Sequence, residues 1–274
     1  MYTGWELKVD IGQALLEKIM EVQRSVGSFQ LTKFRQLDSS DIQEKQRKEL
    51  VTQIDIESEK IIKSQLSSLF PEASFLGEES GRSGDSEYLW VVDPIDGTTN
   101  FVSGLDQFCI SIGLMANNNP ILGAIYKPTH KEFFTAIEGN GAFHNGRRLN
   151  SKRTVKITES LIATGFPYRS LDLRKSFYKC ADEVLDSTRG IRRMGSAALD
   201  LANLACGFFQ GFWETDLQSY DVAAGLVLLK ETGCHFSNFQ GEPYNPFVDR
   251  SFVAGEPDTF KFLQALTEKY YTVK

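Results

Sequence analysis

The segment WVVDPIDGTTNF, residues 90–101, stops an apolar run at Asp93 and adds a second acid at Asp96, between an isoleucine and a glycine. Pro94 fixes φ, and Gly97 opens backbone conformations that other residues avoid, so the loop between the acids is rigid. Two carboxylates three residues apart across such a turn can converge on one point beyond the strand. As bare charges about 4 Å apart they repel by roughly 4 kcal/mol at an effective dielectric constant near 20. Either one of the pair is protonated, or a divalent cation sits between them.

Other acids stand where a strand ends or a helix begins: Asp55 in LVTQID, Glu78 and Glu79 in GEES, and Asp221 in YDVAAG. Taken singly, Asp55 and Asp221 read as simple helix N-caps, and the two glutamates as solvated loop acids. Taken with DPIDGTT they are an oxygen-only donor set without histidine or cysteine. Such a set suits a hard ion, Mg²⁺ or Mn²⁺, and Mg²⁺ is commonly held by a few carboxylates plus substrate phosphate. Two ions sharing one carboxylate would clamp both the attacking and the departing oxygen of a phosphate ester. The Thr98 hydroxyl, backed by a free carboxylate such as Asp55, can pass on a proton from water.

The elements that must position these groups follow from periodicity. Residues 5–26 predict an amphipathic helix with Gly27 as its C-cap, and residues 40–70 a second helix stopped by Pro71. Strands follow at 74–76 and 88–92, then at FCISIGLM, ILGAIY and EFFTAI, with hairpin turns in GNGAFHNG. This predicts a large, mostly antiparallel sheet backed by the two N-terminal helices. From LIATGF onward strands and helices alternate, with helices over 172–186, SAALDLANLACG and DVAAGLVLLKETG, and a last helix opened by Pro257. A soft boundary near residue 150 divides an N-terminal α+β subdomain, 1–150, from a C-terminal α/β subdomain, 151–274, within one compact unit.

The chain has 274 residues, 41% hydrophobic and 24% charged, with a formal net charge of −6. That balance argues against sequence-blind polyanion binding, so no nucleic-acid partner is expected. No secretory signal or bilayer-length apolar stretch is visible, and a cytoplasmic protein with no membrane partner is expected. Cys109, Cys180, Cys206 and Cys234 form no C-x-x-C pair, which fits reduced core thiols. His130, His144 and His235 lack zinc-motif spacing. Trp5, Trp90 and Trp213 read as core or interface aromatics; Arg192 and Arg193 could touch phosphate or a partner subunit, but paired arginines beside a strand read first as surface ion-pair partners.

Together LVTQID, SFLGEES, WVVDPIDGTTNF, GAFHNG, RRMGSAALDLA and WETDLQSYDVAAG resemble the inositol monophosphatase family of Mg²⁺-dependent, lithium-sensitive phosphatases over essentially the whole chain. The resemblance implies the layered α-β-α-β-α sandwich shared with fructose-1,6-bisphosphatase. It implies that Glu78, Asp93 and the Ile95 carbonyl hold one Mg²⁺, that Asp93, Asp96 and Asp221 hold a second, and that Glu78 helps a weaker third. Thr98 with Asp55 would activate the attacking water, with Glu78 counted among the catalytic groups. Substrate contacts would come from the Gly97 and Thr98 amides, from Gly195, Ser196, Ala197 and Glu214, and from Asp96 and Asp221. Lys45 is the nearest match to a basic residue that orders the metal loop. A small phosphorylated polyol is the expected substrate and a homodimer the expected assembly.

The implied reaction is hydrolysis of a phosphate monoester such as myo-inositol 1-phosphate, without a phosphoenzyme. Fructose-1,6-bisphosphatase or NADP phosphatase activity is the alternative, and a binding protein acting in transcription or RNA processing the more distant one. Three positions depart from the family pattern: Asp216 where glycine is commoner, Tyr220 for tryptophan, and Gln218 for a basic residue. They sit at the substrate mouth. An additional acid at Asp216 disfavours a second phosphate there.

Overall fold

The computed structural model describes residues 11–37, 42–46, 49–150 and 155–271. Trp5, the start of the predicted first helix and the Lys45 side chain lie outside them. Helix α1 (Gln13–Lys33) does not stop at Gly27 as its pattern predicts, but continues to Lys33. The glycine serves packing: a Cβ there would stand 2.7 Å from the Tyr126 ring and 3.0 Å from Pro128.

The single helix expected over 40–70 is also corrected. Strands β1 (Ile42–Gln46) and β2 (Glu49–Thr52) pair antiparallel, and helix α2 (Gln53–Leu69) begins only after them. Thr52 sets that start. Its backbone is extended, and its side chain accepts the Ile54 and Asp55 backbone N–H groups, so the helix cannot grow backwards past it.

The larger sheet contains β3 (Ser74–Gly77), β4 (Gly81–Ser83), β5 (Tyr88–Asp96), β6 (Cys109–Ala116), β7 (Asn119–Lys127), β8 (Glu132–Ile137), β9 (Gly141–His144) and β10 (Arg147–Arg148). Their order is β10-β9-β8-β7-β6-β5-β3-β4, antiparallel except where β3 lies beside β5. Trp90, Ile112, Leu114 and Leu122 meet Leu16, Ile19, Ile62 and Leu66 in one core cluster, which seats α1 and α2 on this sheet as predicted. A short helix, α3 (Thr98–Val102), follows β5; periodicity could not see five residues.

The second half gives β11 (Leu161–Thr164), α4 (Arg174–Ser187), β12 (Gly190–Arg192), α5 (Ala197–Ala205), β13 (Gly211–Thr215), α6 (Ser219–Glu231), β14 (His235–Ser237), β15 (Ser251–Gly255) and α7 (Pro257–Tyr270). Its mixed sheet runs β12-β11-β13-β15-β14. Helices α5 and α6 lie between the two sheets, while α4 and α7 cover the far face of the smaller one. The result is the expected five layers, α-β-α-β-α.

Helix α6 sits close on the large sheet because two strand positions there lack side chains. A Cβ on Gly113 would stand 2.8 Å from Ala223 Cβ, and one on Gly123 would stand 2.3 Å from the Ala224 carbonyl. That close seating carries the N-terminus of α6, with Asp221, up to the end of β5.

Candidate active site

Residues 93 and 96 differ by an odd number, so an unbroken strand would send their side chains to opposite faces. The pairing with β6 is not unbroken. Asp93 lies opposite Ser111 and Asp96 opposite Cys109, an irregularity with one extra residue on β5. A bulge of this kind re-aims side chains, and here it turns both acids toward α6. Asp93, Asp96 and Asp221 each offer one oxygen, and the three oxygens lie within 4.8 Å of one another.

Each acid is also tied down. Asp93 Oδ1 accepts the Ile95 N–H at 3.0 Å. Asp96 Oδ2 accepts the Ser196 hydroxyl at 2.6 Å and the Ala198 N–H at 2.7 Å. Asp221 Oδ2 accepts the Gln218 N–H at 2.7 Å. Burial, and then the charges of Glu78, Asp96 and Asp221, hold the Asp93 carboxyl well above the usual range. Asp221 is raised by burial and by Asp96, and Asp96 by burial against the opposing pull of its hydrogen bonds. Two buried acids and a half-buried third facing one another without a cation favour protonation, and a bound cation removes that penalty. An all-oxygen trio of this kind fits a hard divalent ion.

Taken singly, Asp55 and Asp221 read as N-caps, but neither is the cap residue itself. Each is the third residue of its helix in a capping box, with Thr52 and Gln218 as the caps. The capping hydrogen bond takes Oδ2 of Asp55, while Oδ1 faces Thr98 Oγ1 at 3.1 Å. Thr98 Oγ1 also lies 3.0 Å from the Ile95 carbonyl, the oxygen expected to ligate metal. Burial dominates at Asp55 and raises its carboxyl to about 6, against the lowering effect of Thr52. A fully buried carboxylate one hydroxyl away from the site has the placement a proton acceptor needs.

Glu78 lies beyond β3, half-buried, near enough for its charge to act on Asp93 and Asp221. It is not in the trio of convergent acids. Its turn is held by a residue the sequence reading did not single out. Glu59, buried on α2, accepts the Glu79 N–H and the Ser80 N–H, each at 2.8 Å. Its spacing of four from Asp55 places both acids on one face of α2, and that spacing was a readable signal. Gln30 on α1, past the predicted helix end, donates to the Pro94 carbonyl at 2.8 Å. Asn100 Nδ2 lies within hydrogen-bond reach of the Gln107 and Met194 carbonyls, 2.6 and 2.9 Å, and so joins the α3 turn to the segment before Gly195.

Gly97 is the N-cap of α3 in the left-handed region, φ 97°. A Cβ there would stand 2.8 Å from the Gln107 carbonyl and 3.2 Å from that of Gly195, so glycine is required twice over. Gly195, Ser196 and Ala197 line a cavity of about 190 Å³ together with Asp96, Asp221 and Glu214. Glu214 fits because Gly165 beside it has no side chain: a Cβ there would overlap the carboxylate at 1.7 Å. Burial raises Glu214 to about 8, opposed by the Arg193 charge.

Arg193 was expected in a surface ion pair. It lines this cavity instead, its guanidinium 5.4 Å from the Tyr168 ring centroid and 5.9 Å from that of Phe166. Asp200, buried on α5, also lines the cavity, with its Oδ1 lacking a hydrogen-bond partner among the described residues. Asp216, expected at the substrate mouth, lines the cavity, and its carboxylate accepts hydrogen bonds from Ser170.

Five layers, with carboxylates lining a cavity where β5 meets α6, define the class of layered α-β-α-β-α sandwiches with an acidic pocket between the layers. A family model described as the inositol monophosphatase family matches residues 13–271, and the chain belongs to that family. It is accordingly a phosphatase acting on phosphorylated substrates, in a family that is generally metal-dependent. An inositol-1-monophosphatase of Mesorhizobium japonicum is 37% identical over 83% of this chain and 86% of its own. A Nus factor SuhB of Pseudomonas aeruginosa is 36% identical over 92% of this chain and 94% of its own. The crystal structure of extragenic suppressor protein suhB from Bartonella henselae superposes with a TM-score of 0.89 at 34% identity, covering 94% of this chain and 99% of that one.

Proposed function

We propose that the protein hydrolyses the phosphate monoester of a small polyol, with myo-inositol 1-phosphate the leading substrate, in a Mg²⁺-dependent reaction without a phosphoenzyme. The observation that carries this reading is the adjacency of two devices: the Asp93–Asp96–Asp221 trio, two of whose acids line the cavity, and the Thr98–Asp55 pair, which meets the trio's loop at the Ile95 carbonyl. Asp93, Asp96 and Asp221, with Glu78 and the Ile95 carbonyl beside them, are the groups that would hold two or three Mg²⁺ or Mn²⁺ ions. Such ions, when bound, supply Lewis-acid polarisation of the phosphate and a lowered pKa for water.

The chain's own residues do the rest. Thr98 accepts the proton of a water placed against its hydroxyl and passes its own to Asp55 Oδ1. Gly97 and Thr98 present N–H groups at the start of α3. Gly195, Ser196, Ala197 and Glu214 line the space where the alcohol sits, and Ser196 also keeps Asp96 oriented. Cation dependence is the test. Phosphate release from a panel of inositol, sugar and nucleotide phosphates is expected to require Mg²⁺, to fall with Li⁺, and to be fastest for a cyclitol monophosphate; release that survives full chelation overturns the reading.

Relatives named fructose-1,6-bisphosphatase/inositol-1-monophosphatase and Nus factor SuhB suggest other activities, and no observation favours either over polyol phosphate hydrolysis. We place the enzyme in the cytoplasm as a homodimer; sedimentation at micromolar concentration is expected to give twice the 30.8 kDa chain mass. Among the described residues no helix is long and apolar enough to cross a membrane.

A further inference from the structure

Asp216 follows β13 with a backbone φ of +68°, in the left-handed region that favours glycine. A non-glycine residue persists there when its surroundings hold it in place. The hydrogen bonds around it do so. Asp216 Oδ1 accepts the Ser170 hydroxyl at 2.5 Å and Oδ2 the Ser170 N–H at 3.1 Å. The Asp216 carbonyl accepts Arg169 Nη1 at 3.1 Å, and the Asp216 N–H donates to the Arg250 carbonyl at 2.6 Å. Side chain and backbone of one strained residue thus tie down two consecutive residues of another segment.

That segment, 166–170, is a strap between β11 and α4. It contributes Phe166, Tyr168 and Arg169 to the outer wall of the cavity. The Phe166 and Tyr168 rings meet edge to face at 5.9 Å, and Phe166 also meets Phe177 of α4 at 5.5 Å. Both rings are partly exposed, so apolar packing alone does not fix the strap. Asp96 of β5 and Asp221 of α6 line the same cavity.

We propose that Asp216 is a positioning residue for the alcohol half of the substrate: its carboxylate pins the 166–170 strap, and the pinned strap fixes the wall against which a cyclic polyol is seated. The inference rests on the phosphomonoester reading above. Glycine at 216 would satisfy the backbone and lose the tie. Asparagine tolerates the same φ and keeps both hydrogen bonds, accepting the Ser170 N–H and donating to its hydroxyl.

The experiment compares wild type, Asp216→Gly and Asp216→Asn by two readouts. The first is the rate of trypsin cleavage after Arg169, which reports strap opening without reference to activity. The second is kcat and KM for myo-inositol 1-phosphate and for glycerol 2-phosphate, whose smaller alcohol reaches less of the wall.

Asp216→Gly is expected to speed cleavage about tenfold. It should also lower the cyclitol-to-glycerol ratio of kcat/KM about tenfold, chiefly through KM, with Asp216→Asn within twofold of wild type. Faster cleavage with an unchanged ratio overturns the positioning role and leaves a merely structural tie. Unchanged cleavage overturns the tie itself, and an asparagine variant that behaves like glycine overturns its hydrogen-bonded basis. A wild type that hydrolyses neither ester in Mg²⁺ overturns the phosphatase reading, and this inference with it, whatever the trypsin result.

Discussion

Asp55 performs two tasks with its two oxygens, and they separate by pH. Oδ2 closes the capping box and Oδ1 meets Thr98, while burial holds the carboxyl at about 6. In its proposed role as proton acceptor Asp55 works ionised, so kcat/KM should climb as pH rises to about 6 and level off above it. Asp55→Asn keeps the cap but should cut kcat by roughly 10²–10⁴.

Stability moves the other way. A carboxyl raised from 3.8 to about 6 favours folding fully below 3.8 and loses that contribution as pH rises to about 6. In metal-free protein, Asp55→Asn should therefore gain on wild type by about 3 kcal/mol between pH 3.5 and pH 7, read from urea midpoints. A difference independent of pH would contradict the buried, titrating carboxyl. At this scale the sequence was informative where chemistry is written in residue types: Asp93, Asp96 and Asp221 converge, and Asp55 meets Thr98. It was silent on Ser196 as the donor to Asp96 and on Glu59 under the GEES turn. Those roles depend on side chains brought together from distant positions.

Periodicity located most elements and misplaced two boundaries for a common reason. A pattern of apolar residues reports which face is buried, not what ends the element. Gly27 read as a stop because glycine often caps, yet its bare Cα admits Tyr126, and the helix beyond it delivers Gln30 to the Pro94 carbonyl. The segment before Thr52 read as helix although it pairs as a ribbon. The bulge in β5 was invisible for a different reason, since only the partner strand reveals an extra residue. Close approach makes its own prediction here. Gly123→Ala places a Cβ 2.3 Å from the backbone of α6, with no flexible side chain to yield. It should destabilise by about 1–3 kcal/mol and weaken Mg²⁺ binding together, because α6 carries Asp221. Urea unfolding and a cation titration check this, and loss of stability with unaltered cation affinity would uncouple the helix seat from the site.

Across the whole molecule the layers are what bring acids from β5 and α6 to one point. The layer order was legible through the family resemblance, whereas the exposed Arg–aromatic group at the cavity mouth was not. Crowded carboxyls also make the fold sensitive to cations. Adding Mg²⁺ at a hundredfold excess over its dissociation constant should stabilise the protein by about 2.7 kcal/mol. Chelation should reverse this, with the effect shrinking as pH falls and the acids protonate; a melting temperature indifferent to Mg²⁺ would count against the trio as a cation site.

Helix α6 has one more consequence, which concerns synthesis. Asp93 and Asp96 leave the ribosome long before Asp221, and the face of the large sheet bearing Gly113 and Gly123 stays bare until α6 arrives to cover it. An unfinished polypeptide therefore has two of the three acids and no catalytic centre. Translation that terminates early yields an inert fragment with an uncovered apolar face, a ready target for chaperones and proteases, and never a partly active enzyme.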